Sequence, residues 1–209
     1  MPRKRLLLAD DHAVLLEGLR GLLERDFDVV ATAEDGLALI AAARRTQPEI
    51  IVLDISMPNL NGLDAARELH HLLPRTKLIF LTMHTDPTYV KAAFRAGASG
   101  YVVKRRAFSE LRQAIDAAIK GERFVTPSLP PDVLSDLMAE TKEAVDLTTR
   151  QRQILQLVAE GRSNKEIGSL LYLSIKTVEF HRSQIMQRLG LHTVAELTQY
   201  AIRHGIVQP

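Results

Sequence analysis

The feature that most constrains the fold of this chain is a fivefold alternation of short apolar runs with amphipathic stretches over its first 120 residues. Leu6–Ala9, Val29–Ala33, Ile50–Leu53, Leu78–Leu81 and Tyr101–Val103 are too short for buried helices and are predicted as strands. Between and after them, Val14–Leu23, Leu37–Arg45, Leu63–Leu72, Tyr89–Ala96 and Ser109–Lys120 repeat apolar residues at helical spacing. A strand followed by a helix and another strand calls for a parallel sheet, because parallel neighbours need a long crossover. Such sheets are covered on both faces, which explains why the strands are apolar throughout rather than alternating.

The expected architecture is α/β, a flavodoxin-like (βα)5 doubly wound parallel sheet of order 2-1-3-4-5. All strands then point one way, so the residues that end them share one edge. Asp10 and Asp11 end the first strand, Asp54 the third, Thr82 the fourth and Lys104 the fifth. Ligands of open α/β sheets bind at this edge, at the switch point between the first and third strands. Three carboxylates there repel one another unless cations neutralise them. Clustered carboxylate oxygens suit a hard divalent ion such as Mg2+, and Lys104 supplies a further positive charge. A carboxylate so held is equipped to attack a phosphoryl group and form an acyl phosphate. Thr82 is placed to meet one of the new phosphoryl oxygens. Singly, each of these residues reads as an ordinary cap or loop residue; their convergence points to chemistry.

Gly121 is expected to end the last of these helices. The domains are predicted as 1–122, a linker over 123–146, and a small all-α domain over 147–209. The linker has Pro130-Pro131, an acidic bias, and one short predicted helix from Asp132 to about Glu140. The last domain carries 8 Lys/Arg against 4 Asp/Glu, the sign expected of a nucleic-acid-binding module. Helix-start signals follow quickly: Thr148 with Gln151, Ser163 with Glu166, Ser174 before Ile175, and Thr193 with Glu196. Ser163–Leu170 and Ile175–Leu189, joined by a tight turn, have the layout of a helix-turn-helix. On the second helix Val178, His181, Ile185 and Leu189 fall on the packed face. Lys176, Glu179, Phe180, Ser183 and Gln187 lie opposite, toward a major groove, with Arg182 and Arg188 flanking to neutralise phosphates. The plain alternative is a solvated polar helix face, and His181 is a packed or phosphate-contacting residue rather than a metal ligand. The chain has no cysteine, and its N-terminal apolar run is too short for a signal peptide. A cytoplasmic protein with no membrane contact is expected.

Asp10-Asp11-His12 with Glu17-Gly18-Leu19, Asp54-Ile55-Ser56-Met57-Pro58 with Asn61-Gly62, Leu81-Thr82-Met83, and Gly100-Tyr101-Val102-Val103-Lys104 resemble the receiver domain of bacterial response regulators over about residues 5–120. The resemblance implies that Asp54 accepts phosphate from a sensor histidine kinase, and that Asp10, Asp11, Asp54 and the Ser56 backbone carbonyl arrange Mg2+. It implies that Thr82 and Tyr101 are a switch pair, the hydroxyl drawn to the phosphoryl group while the ring turns inward. Catalysis is then limited to the domain's own phosphoryl transfer and slow dephosphorylation. Arg105-Arg106 depart from the acidic or small residues that relatives often carry after the lysine.

Leu147-Thr148-Thr149-Arg150, Leu157-Val158-Ala159-Glu160-Gly161, Ser163-Asn164-Lys165-Glu166-Ile167, and Leu173-Ser174 with Thr177-Val178 and His181-Arg182 resemble the LuxR-type helix-turn-helix. Joined to a receiver, the whole is similar to the NarL/FixJ family. The resemblance implies DNA contacts drawn from Asn164, Lys165, Lys176, Thr177, Glu179, Phe180, His181, Arg182, Ser183, Gln187 and Arg188, dimerisation through the last helix, and RNA polymerase among the candidate partners. Gln151 and Gln153 replace commonly acidic positions, and Glu179 stands where several relatives carry a base-reading lysine. Two rivals are weighed. A phosphohydrolase of the haloacid dehalogenase type needs a second acid two residues after the nucleophile, where this chain has Ser56. A regulator working through protein partners alone has no use for the intact acidic set with Lys104.

Overall fold

The computed structural model describes residues 3–129 and 147–207, which fall into two compact units. In the first, the strands are β1 (Arg5–Ala9), β2 (Asp28–Ala33), β3 (Ile50–Leu53), β4 (Lys77–Thr82), β5 (Ala98–Val103) and β6 (Phe124–Val125). The helices are α1 (Ala13–Leu23), α2 (Gly36–Thr46), α3 (Gly62–Leu72), α4 (Pro87–Arg95) and α5 (Ala107–Lys120), the last preceded by one 3-10 turn at Lys104–Arg106. Every strand pair is parallel, and the order is β2-β1-β3-β4-β5-β6. The expected doubly wound sheet is therefore present, with one strand more than expected. β6 lies within the segment read as linker; its pairing with β5 is held by Thr126, whose amide donates to the Tyr101 carbonyl at 2.9 Å and whose Oγ1 accepts from the Val103 amide at 2.9 Å. Two residues carry too little periodicity for a strand to be legible in sequence. The predicted helix from Asp132 to Glu140 lies outside the described residues.

Alternation along the strands builds two cores. Leu7, Ile51, Leu53, Phe80 and Tyr101 face one side and pack against Leu39, Ala66, Leu69 and Val90 of α2, α3 and α4. Leu6, Leu8, Val52, Ile79, Leu81 and Val102 face the other and pack against Leu16, Leu19, Leu111 and Ile115 of α1 and α5. Burial on both faces pins the register, since a slip of one residue would exchange the two sets.

Close approaches set the loop after β3. Asn61 caps α3, its side chain accepting from the Asp64 amide at 2.9 Å. The Gly62 amide donates to the Ile55 carbonyl at 2.8 Å, and a Cβ on Gly62 would lie 1.9 Å from the Asp54 carbonyl oxygen. Only glycine lets α3 start against the backbone of the residue that ends β3.

Among its described residues the second unit has four helices: α6 (Thr149–Ala159), α7 (Asn164–Leu171), α8 (Ile175–Leu189) and α9 (Val194–Arg203). Capping boxes at Thr148/Gln151, Ser163/Glu166 and Thr193/Glu196 start three of them, as expected, and Ser174 caps α8 by accepting from the Thr177 amide. Ile154, Leu157, Ile167, Val178, Ile185 and Leu197 form its core. The α7–α8 turn is tight: a Cβ on Gly168 would lie 2.8 Å from the Leu173 carbonyl oxygen, and Tyr172 closes α7 in the left-handed conformation at φ 55°.

Gly62→Ala is expected to destabilise the first unit by about 2–3 kcal/mol, as overpacking against fixed backbone does. Urea denaturation of the full chain followed by circular dichroism measures it.

Candidate functional site

The carboxyl edge of the sheet gathers the ionisable residues that the sequence placed there. Lys104, first residue after β5, reaches back so that its Nζ lies 2.7 Å from Asp10 Oδ2 and 2.7 Å from Asp54 Oδ2. All three side chains are nearly closed to solvent, at 7%, 2% and 4% exposure. Asp54 Oδ1 accepts from the Ile55 amide at 2.6 Å, so both carboxylate oxygens are engaged. Asp10 Oδ1 lies 3.0 Å from both the His12 amide and its Nδ1, and that Nδ1 lies 2.7 Å from Asp11 Oδ1.

Burial is the largest influence on Asp54 and pushes its carboxyl above the ordinary range; Lys104 opposes it and Asp10 adds to it. For Lys104 burial works against the charge, yet Asp54 and Asp10 outweigh it and leave the ammonium above its ordinary range. Mutual attraction thus favours the charged form of both partners in a site that resists charge, prevailing for Lys104 and only partly offsetting burial for Asp54. Asp10, Asp11 and Asp54 set against Lys104 leave an excess of two negative charges, the amount a divalent ion neutralises. Asp10, Asp11 and His12 bring one ligand atom each to within 4.8 Å of one another, a grouping that suits a divalent cation. Asp54 stands outside that grouping, joined to it through Lys104.

Thr82, last residue of β4, is fully buried, and its Oγ1 accepts from the His84 amide at 3.3 Å. Tyr101 is also fully buried, its ring within the α2–α4 core and its hydroxyl donating to the His84 carbonyl at 2.9 Å. Burial drives the Tyr101 hydroxyl far above its ordinary range, so it acts only as a neutral donor. The residue that sequence reasoning missed is His84. Its backbone receives Tyr101 and donates to Thr82, its Nε2 lies 2.8 Å from Ser56 Oγ, and its ring stacks on Tyr89 at 3.8 Å. The only signal for it was its position two residues past Thr82. Of Ser56, the side chain is what makes this contact.

In the second unit, the α8 surface divides as expected. Val178 and Ile185 are buried and Leu189 and His181 half-buried, the His181 Nδ1 enclosed without a hydrogen-bond partner among the described residues. Lys176, Glu179, Phe180, Ser183, Gln187 and Arg188 are exposed, while Thr177 is half-buried at the helix start. Lys165 is exposed at the start of α7. Arg182 is half-buried and donates to Asn164 Oδ1 at 2.5 Å, and Asn164 Nδ2 reaches Glu179 Oε1 at 3.4 Å. Helix α7 is thereby tied to α8 across the turn.

Two family models match the chain: the response regulator receiver domain over residues 6–116, and the luxR family of bacterial regulatory proteins over residues 145–201. The chain is 36% identical to the oxygen regulatory protein NreC of Staphylococcus aureus, over 98% of this chain and 99% of the relative. This chain is a response regulator of the receiver and luxR-type class. Among solved structures, the RcsB response regulator of Salmonella typhimurium aligns with a TM-score of 0.64 at 28% identity, covering 98% of this chain and 99% of that one. RcsB bound to promoter rprA in the presence of phosphomimetic BeF3- aligns with a TM-score of 0.60 at 29% identity, over 94% and 98% of the two chains. A two-component response regulator of the LuxR family from Aurantimonas aligns at 34% identity and TM-score 0.61, covering 66% of this chain and 99% of that one. As a response regulator, the chain combines a receiver with a DNA-binding domain, and the receiver implies a histidine kinase as partner.

Lys104→Met strips the shared ammonium from two buried carboxylates and is expected to cost about 3 kcal/mol near neutral pH in metal-free buffer. Because burial raises the Asp54 carboxyl, the folded state is favoured as pH falls through the carboxylate range and loses that advantage as pH rises through the raised value. The variant should show this slope more steeply than the parent in urea denaturation, and a divalent cation should restore more stability to the variant.

Proposed function

We propose that this response regulator accepts a phosphoryl group on Asp54 from the phosphohistidine of a sensor kinase and thereby controls its binding to double-stranded DNA. The observation that carries the reading is the Lys104 ammonium shared at 2.7 Å by Asp10 and Asp54. It opposes the burial that raises the Asp54 carboxyl, and so favours the carboxylate, which is the nucleophilic form. In the transfer an Asp54 carboxylate oxygen forms a bond to phosphorus while the bond from phosphorus to the donor imidazole breaks, its electron pair returning to the ring nitrogen. The Asp54–Lys104 contact persists as charge moves onto the phosphoryl oxygens, and the Thr82 hydroxyl can turn from the His84 amide toward one of them.

Asp10, Asp11 and Asp54, with the Ser56 carbonyl, are assigned to hold Mg2+, which suits an all-oxygen, carboxylate-rich donor set. The ion would neutralise phosphoryl charge when bound. Tyr101 and Thr82 meet at the His84 backbone, which supports their assignment as a coupled pair: movement of the Thr82 side chain toward a phosphoryl group would weaken one of these two hydrogen bonds to the backbone of residue 84. The chemistry proposed for the chain is confined to this transfer and to slow hydrolysis of its own acyl phosphate.

For the second unit, exposed Lys176, Glu179, Phe180, Ser183, Gln187 and Arg188 on α8 are assigned to the groove and its phosphates. Lys165, Asn164, Thr177, His181 and Arg182 support the same face. RcsB structures include DNA-bound dimers, and by likeness a second copy of this chain is proposed as partner on DNA, with RNA polymerase the further partner of a regulator of transcription. The cytoplasm is the proposed location. It fits a chain without cysteine in which no described helix is long and apolar enough to cross a membrane.

Incubated with Mg2+ and a small phosphodonor, the protein should gain the mass of one phosphoryl group by intact mass spectrometry, and Asp54→Asn should abolish the gain. A gain that survives the substitution, or no gain, refutes the assignment. Phosphorylation should also raise affinity for duplex DNA in a fluorescence anisotropy titration, with binding weakened steeply by salt as phosphate contacts require.

A further inference from the structure

We infer that Glu179 selects cytosine in the DNA sequence that this chain recognises, and that Asn164 positions it; the inference rests on the proposal that α8 enters the major groove. Glu179 is the one acidic residue of α8, which otherwise carries Lys176, Arg182 and Arg188. It lies on the exposed face between Lys176 and Ser183. A carboxylate on a face turned toward a polyanion loses energy against every phosphate, so any favourable contact it makes with the DNA must be with a base edge.

The side chain is also held. Arg182 donates to Asn164 Oδ1 at 2.5 Å, which fixes the amide and turns its Nδ2 toward Glu179 Oε1 at 3.4 Å. Asn164 itself sits on the first turn of α7, started by the Ser163–Glu166 capping box. The carboxylate is therefore referenced to the body of the domain through two helices. One oxygen takes the Asn164 contact, and the carboxylate retains acceptor capacity for a base.

A carboxylate only accepts hydrogen bonds. In the major groove guanine shows two acceptors and thymine an acceptor and a methyl group. Adenine shows its N6 donor beside the N7 acceptor, which repels a carboxylate. Cytosine shows the N4 donor alone. The chemistry thus favours cytosine over adenine and excludes the other two.

Selection of bound duplexes from random DNA by the full chain, treated with Mg2+ and a small phosphodonor, tests this with Glu179→Gln and Glu179→Ala beside the parent. The parent should enrich cytosine over adenine about tenfold or more at one position of its half-site. Glutamine, which accepts from N6 and donates to N7, should switch that position to adenine, and alanine should erase the preference there while the rest of the sequence is retained. Asn164→Ala should weaken the cytosine preference without substituting another base. A parent sequence without cytosine, or a position indifferent to all three substitutions, overturns the inference and leaves specific DNA binding intact. Uniform recovery by the parent overturns specific binding and this inference with it.

Discussion

One ammonium between two buried carboxylates is the interaction on which the receiver site depends. Lys104 contacts Asp10 and Asp54 at the same 2.7 Å, and these residues directly follow three different strands. Their meeting requires β1, β3 and β5 to be parallel and in fixed register. A slip of one residue would turn a site residue toward the core and put Ala9, Leu53 or Val103 in its place. The two-sided hydrophobic packing that pins the register is therefore also what sets the electrostatics. Attraction outweighs desolvation for Lys104 and opposes it for Asp54, and breaking such a buried pair costs far more than the pair contributes over an apolar replacement.

The loop after β3 shows how backbone geometry serves the same end. Gly62 lets α3 start against the Asp54 carbonyl, Asn61 caps that helix, and the Gly62 amide closes the loop onto Ile55. Asp54 therefore sits on a loop with little freedom, as its proposed role as the nucleophile toward an incoming phosphoryl group needs. On the opposite side of the crevice, residue 84 collects contacts from Thr82, Tyr101, Ser56 and Tyr89. A change at the proposed phosphoryl site would be felt there, because any shift of the Thr82 side chain toward it alters the hydrogen bond that Thr82 accepts from the His84 amide.

The DNA-binding unit relies on local rules to a greater degree. Its three capping boxes, its left-handed Tyr172 and its small Gly168 are sequence-local devices, and the expected bounds of α8 matched to the residue. Short-range hydrogen bonds at helix ends depend on residues three apart, so a single sequence displays them. The Arg182–Asn164–Glu179 connection is different. It joins residues 15 and 18 positions apart, and only the α7–α8 crossing brings them together.

Sequence by itself determined the βα alternation, the identity of Asp10, Asp11, Asp54, Thr82 and Lys104 as strand-end residues, and the helix-turn-helix with its polar face. Each follows from periodicity or from residue chemistry at fixed short spacing, which are properties of the chain alone. Tertiary structure decided the sixth strand, which exists only because β5 offers an edge; the inward Tyr101, whose burial depends on the α2–α4 core; and the part played by His84, whose partners come from three segments. It also decided that Asp54 joins the acidic group through Lys104 rather than directly. Distances between chain-remote charges are set by how the elements pack, and no local pattern encodes them.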